Sequence, residues 1–150
     1  MIRRKIRKEM LQESPYALWN AFVDLLAKER YSDLDEVQRT AHLCFWYDSE
    51  VQNGGHLQCF ENRGTGLLAD TLVALRNIGA ECQHKVLAAA WRLFSSRPRE
   101  RIETRDEFVS VALSGEFEEL DAAYYACQPP MQKLLEDYLH QHKDRFVEIT

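Results

Sequence analysis

The sequence predicts an all-α fold, and three observations carry that expectation. Apolar residues recur three and four apart in one segment after another, and no segment alternates with period two over more than a few residues. Capping residues or glycines also stand where each periodic stretch begins and ends. A chain of 150 residues is one domain long. The caps and periods divide it into roughly six to eight helices in a single compact domain.

Taken in order, SPYALWNAFVDLLAKER places Ser14 as N-cap and Pro15 at the first helical position, then aligns Leu18, Phe22, Leu25 and Leu26 on one face. Ser32 to Asp35 has the form of a capping box. It precedes a helix with one stripe through Val37, Ala41, Cys44 and Val51 and a second through Leu43 and Tyr47, ending at Asn53-Gly54-Gly55. HLQCFENR forms a short helix closed by Gly64. TGLLADTLVALRNIG follows, with Leu68, Leu72 and Leu75 in line and Gly79 as a left-handed stop. AECQHKVLAAAWRLF is a further long helix, and Thr104 to Glu107 is a second capping box opening a helix through Phe108, Val109 and Leu113. Gly115 breaks that run. FEELDAAYYAC and PPMQKLLEDYLHQHKDRF complete the chain, the latter with Leu134, Leu135, Tyr138 and Leu139 on one side.

Residues 1–12 are set apart as a basic segment, and 13–150 as the helical domain. Arg3, Arg4, Lys5, Arg7 and Lys8 bring five positive charges without an acid, which reads as a solvated, frayed end in preference to an electrostatic foot for nucleic acid or lipid. The whole chain nevertheless carries −5. Acids concentrate between 103 and 121, where Glu103, Asp106, Glu107, Glu116, Glu118, Glu119 and Asp121 face one base, Arg105. Apolar runs such as VLAAAW are far shorter than the roughly 18 residues of a membrane span. MIRRKIRK is followed by no apolar signal core, so a cytoplasmic protein is expected. Cys44, Cys59, Cys82 and Cys127 show no CxxC pair and read as reduced core thiols. His140 and His142 lie on different helix faces, so no metal site and no cofactor are expected.

The stretch Tyr47-Asp48-Ser49-Glu50-Val51-Gln52-Asn53-Gly54-Gly55, followed by Gln58, Phe60 and Asn62, resembles the signature of the DNA-mimic-protein-like family. ALRNIGAECQHKVLAAAWRLF, FEELDAAYYAC and LLEDYLHQH resemble later blocks of that family in the same order, so the likeness spans roughly residues 13 to 147. It implies a helical domain and, from the described member, an acidic dimer that imitates duplex DNA and occupies the DNA-binding surface of a transcription factor. Two departures fall inside the motif: His56 and Cys59 stand where the family favours aromatics. The basic N-terminus is a third.

Chemically the motif has two readings. In the first it is a polar staple: Gly54 and Gly55 turn the chain between helices, Asn53 suits that turn, and the Glu50 carboxylate reaches the free N–H groups of the next helix. Gln58 and Asn62, four apart, share a face and bond neighbouring loop backbone, while His56 is a partly exposed helix-start residue. In the second it is a pocket, with Glu50 as base, His56 as acid or base, and Asn53 and Gln58 as substrate amides. The staple is preferred because nothing supplies a nucleophile with a paired base, a metal set or a phosphate loop. The aromatics read as core, with Trp46 and Tyr125 as candidates for an outward dimer contact.

Two functions follow from different classes. One is a non-enzymatic regulatory domain whose acidic face, Glu103 to Asp121, engages a basic protein such as a DNA-binding regulator, with no direct nucleic-acid binding of its own. The other is a small enzyme or ligand-binding domain using the Glu50, Asn53, His56 and Gln58 pocket.

Overall fold

The computed structural model describes all 150 residues. Its elements run β1 (Arg4–Ile6), α1 (Lys8–Glu13), α2 (Ala17–Lys28), α3 (Glu36–Arg63), α4 (Leu68–Asn77), α5 (Glu81–Phe94), α6 (Arg105–Ala112), α7 (Glu118–Ala126), α8 (Met131–Gln141), α9 (Lys143–Phe146) and β2 (Val147–Ile149). The expected all-α domain is present, with short α1 and α9 as additional helices. α3 is the axis: α2, α4, α7, α8 and α9 all pack on it. The predicted stripes form the core, where Phe22, Leu25, Leu26, Ala41, Cys44, Val51, Leu75 and Leu87 are all fully buried.

Two predicted helix starts shift. α2 begins at Ala17, since Ser14 closes α1 and Pro15-Tyr16 only bridge the two helices. The box before α3 is built by Asp35 and Gln38 rather than Ser32 and Asp35: Gln38 N donates to Asp35 Oδ1 at 2.9 Å and Asp35 N to Gln38 Oε1 at 3.1 Å. Tyr31–Asp33 is instead a 3₁₀ turn. At α6, Thr104 Oγ1 accepts from Glu107 N as expected, but the Glu107 carboxylate accepts from Glu103 N. Gly79 has φ +83° and closes α4 with Ala80 N donating to Leu75 O, the expected left-handed stop.

The basic N-terminus is not frayed. β1 pairs in parallel with β2, Arg4 opposite Val147 and Ile6 opposite Ile149. Arg4 bridges Asp24 at 2.7 Å and Glu29 at 2.8 Å on and beside α2. Gln38, fully buried, donates from Nε2 to Ile2 O at 2.6 Å and to Arg145 O at 2.8 Å, so one amide ties both chain ends to α3. A three-residue strand is too short to show alternation, which is why periodicity missed it.

The cysteine expectation is corrected as well. Cys82 on α5 and Cys127 at the end of α7 form a disulfide with a Cα separation of 5.6 Å, inside the range the bond requires. Only Cys44 and Cys59 are free, both buried. The two bonded residues are 45 apart in sequence, and only the packing of α5 on α7 brings them together.

No helix is long and apolar enough to cross a membrane.

Candidate functional site

α3 breaks where the sequence places its glycines. Gly54 takes φ −158° and Gly55 φ +76°, after which helical geometry resumes at His56. A break in a helix strands carbonyls before it and N–H groups after it, and each must find another partner. Here α7 supplies partners on both sides. Tyr125 donates its hydroxyl to Val51 O at 3.1 Å. Asp121 Oδ1 accepts the His56 backbone N–H at 2.9 Å and lies 2.6 Å from His56 Nδ1.

The staple reading therefore holds in outline and changes in its parts. The carboxylate at the helix start is Asp121, not Glu50. Glu50 instead accepts from Gln58 Nε2 at 3.1 Å and from Asn62 Nδ2 at 3.0 Å, spanning the break. Gln58 and Asn62 do share a face, but they use it to hold a carboxylate, where loop backbone was expected. Asn53 is exposed.

His56 was expected to be partly exposed and is 0 % exposed. It sits among Tyr47, Phe60 and Tyr124, with ring centroids 5.6, 6.2 and 6.1 Å away, packed as an aromatic ring would be. A carboxylate only accepts, so Nδ1 carries the proton toward Asp121. In the neutral ring Nε2 is then the acceptor for Tyr47 Oη at 2.7 Å. Burial pushes the Tyr47 hydroxyl well above its usual range and keeps it a donor. A second chain links Tyr124 Oη to Asp48. Thus α3 and α7 are joined by Asp121–His56–Tyr47 and by Asp48–Tyr124.

Burial pushes the Cys59 thiol up to about 12 and the Cys44 thiol up further. No group of three or more His, Cys, Asp or Glu side chains is placed to hold a metal.

The acids of 103–121 divide into two kinds. Glu116 takes Arg99 through both oxygens at 2.7 Å and Arg97 at 2.8 Å, and these guanidiniums pull its carboxyl down to about 2. Asp121 is committed to His56, and Glu107 accepts from Glu103 N. Glu103 lies 3.8 Å from Arg101 at the surface. Asp106, Glu118 and Glu119 are exposed and form no ion pair. They stand in the first turns of α6 and α7. Trp46 is half-buried and donates to Leu26 O at 3.0 Å, while Tyr125 is exposed.

Sequence reasoning missed Asp121, Tyr124 and Tyr125 as partners of the motif, and Arg97 and Arg99 as partners of Glu116. Separations of 65 and 74 residues leave no local signal for the first set.

Fold and site together define an all-α domain organised around a broken central helix whose corner is closed by another helix. Residues 32–142, more than half of the chain, match the family model described as DMP19-like protein, and the chain belongs to that family. No curated protein and no solved structure matches the chain.

Proposed function

We propose that this chain is a non-enzymatic, regulatory protein-binding domain that acts as a DNA mimic, its acidic helical surface occupying the DNA-binding face of a basic partner. Membership of the DMP19-like family is the observation that carries the reading. The charge distribution supports it: a carboxylate neutralised inside the fold presents no negative charge to a partner, whereas Asp106, Glu118 and Glu119 are exposed and unpaired, with Glu103 and Glu107 beside them. Glu116 and Asp121 serve the fold, so they drop out of the working surface. A basic partner meeting this face would be steered by surface charges that salt screens over about 10 Å at 0.1 M.

The polar groups of the motif support the same reading by being spent on one another. Glu50 holds Gln58 and Asn62, and His56 is buried between Tyr47 and Asp121, so neither is presented to a substrate.

The test is capture of a basic, DNA-binding protein from the native host on the immobilised chain, with Glu103→Gln, Asp106→Asn, Glu118→Gln and Glu119→Gln combined as the variant. Wild type should retain the partner at low salt, release it as salt rises and release it to duplex DNA, while the variant captures poorly. Salt-sensitive binding of duplex DNA by the chain itself, lost when Arg3, Lys5, Arg7 and Lys8 are replaced together by glutamine, would overturn the reading.

A further inference from the structure

The kink that makes the corner also makes a hollow. On its inner side the two halves of α3 and the start of α4 border a half-open hollow of about 250 Å³, lined by Leu43, Trp46 and Tyr47 from the first half, Cys59 and the exposed Asn62 and Arg63 from the second, and Leu67, Leu68 and Thr71 from the α4 side. None of the acids assigned to partner binding lies there.

We propose that this hollow binds a small aromatic monocarboxylate, with Arg63 as its counter-ion. Three properties point to that chemistry. The first is size. A cavity of roughly 150 Å³ lined by apolar groups accommodates benzene. The hollow exceeds it by enough for one aromatic ring with a short acidic side chain, and it falls below the roughly 300 Å³ at which pockets for drug-sized ligands begin.

The second is the wall. Leu43, Leu67 and Leu68 offer aliphatic surface, and Trp46 and Tyr47 add aromatic surface. Both aromatics are fixed before any ligand arrives, Trp46 by its indole N–H on Leu26 O at 3.0 Å and Tyr47 by its hydroxyl on His56 at 2.7 Å. A preset wall spares the ligand the cost of ordering it.

The third is charge. Arg63 is the one ionised side chain in the lining, while the Glu50 carboxylate stands behind Asn62, held by its amide at 3.0 Å and by Gln58 at 3.1 Å. Its guanidinium lies over the Trp46 ring at 4.7 Å and makes no ion pair and no side-chain hydrogen bond. A guanidinium stacked on an anchored indole is held in plane with its N–H donors unspent, which suits bidentate capture of a planar carboxylate. Asn62 spends one amide proton on Glu50 and has another to give; Thr71, which donates to Leu67 O at 2.7 Å, has only lone pairs left and favours no anion. α3 ends and α4 begins on this same rim, so the two helix dipoles oppose one another and the guanidinium decides the sign. The Cys59 thiol, raised to about 12, stays neutral and adds only apolar surface.

The test is titration of the full chain with benzoate, phenylacetate and indole-3-acetate, and with indole-3-acetamide as the uncharged match. It is read by calorimetry and by the shift of the Trp46 indole N–H resonance, assigned with Trp46→Phe. At least one acid should bind with Kd on the order of 0.1 mM, the amide at least tenfold more weakly. Arg63→Gln should lose at least tenfold for the acid while leaving amide affinity within about twofold and moving the urea midpoint by no more than about 0.5 M, the share that loss of its stacking on Trp46 accounts for. Leu68→Trp, which fills the hollow, should abolish binding of both. Absence of binding by all three acids to 10 mM, equal affinity for acid and amide, or an undiminished Arg63→Gln variant would each overturn the proposal. None of these outcomes bears on the partner-binding surface, whose residues lie on and before α6 and on α7.

Discussion

Replacing Asp121 by alanine should cost this protein about 3 kcal/mol. The carboxylate satisfies two donors at once, the His56 backbone N–H at 2.9 Å and His56 Nδ1 at 2.6 Å. Losing an acceptor at a helix start costs about 1 kcal/mol. Leaving a buried ring N–H without a partner costs a further 1–3 kcal/mol or so, and His56 is wholly buried. Asp121 itself is 27 % exposed, so water can replace part of what is removed, which sets the total at about 3 rather than 4 kcal/mol. Asp121→Asn keeps the shape and one acceptor and should cost only about 1–2 kcal/mol. With a urea m-value of about 2 kcal/mol/M, the alanine variant should shift the midpoint by about 1.5 M. The assay is urea unfolding at pH 7 followed by circular dichroism, repeated in a His56→Phe background. There the ring N–H is gone and Asp121→Ala should cost only the helix-start share, a coupling of about 2 kcal/mol. An alanine variant within 0.3 M of wild type, or equal costs in both backgrounds, would refute the assignment of Asp121 as the closing residue of the corner.

Gly55→Val should destabilise by more than 1 kcal/mol, since φ is +76° and a Cβ would stand 2.4 Å from Asp121 Oδ2; an unchanged urea midpoint would remove the turn argument. His42 is buried beside Tyr31 and Trp46 with Nδ1 unpaired, and burial, then Arg63, lowers its pKa to about 4. The unfolded ring takes up its proton near pH 6.5 and the folded one near 4, so stability should be full above pH 6.5 and fall as pH drops from 6.5 to 4. His42→Phe should flatten that decline, measured as urea midpoint against pH. Reduction of Cys82–Cys127, which closes a 45-residue separation, should cost about 2–4 kcal/mol, seen as a drop in Tm with dithiothreitol that Cys82→Ser reproduces without it.

What the sequence conveyed was whatever repeats locally. Helical stripes such as Phe22–Leu25–Leu26 and the Gly54-Gly55 break are written in neighbouring residues, and they appear in place. The partners of that break are not. His56 reads as a polar residue beside glycines, and its burial follows from Asp121, 65 residues later, arriving with the ring of Tyr124. Likewise Glu116 reads as one acid in a run of acids until Arg97 and Arg99 fold back over it. Charge counted along a chain cannot separate spent carboxylates from free ones, which is why the acidic segment looked more uniform than it is. The same limit hid the disulfide, and a strand pair built from the two ends of the chain had no periodicity to show.

The central claim is that the acidic face and DNA compete for one surface on a basic partner. The direct measurement is a titration of the complex between this chain and its captured regulator with duplex carrying the regulator's binding site, followed by size-exclusion chromatography with light scattering. Mutually exclusive binding is predicted: duplex should displace the chain completely, and the complex should weaken in the Glu103→Gln, Asp106→Asn, Glu118→Gln, Glu119→Gln variant. A stable ternary species of chain, regulator and duplex would contradict the claim.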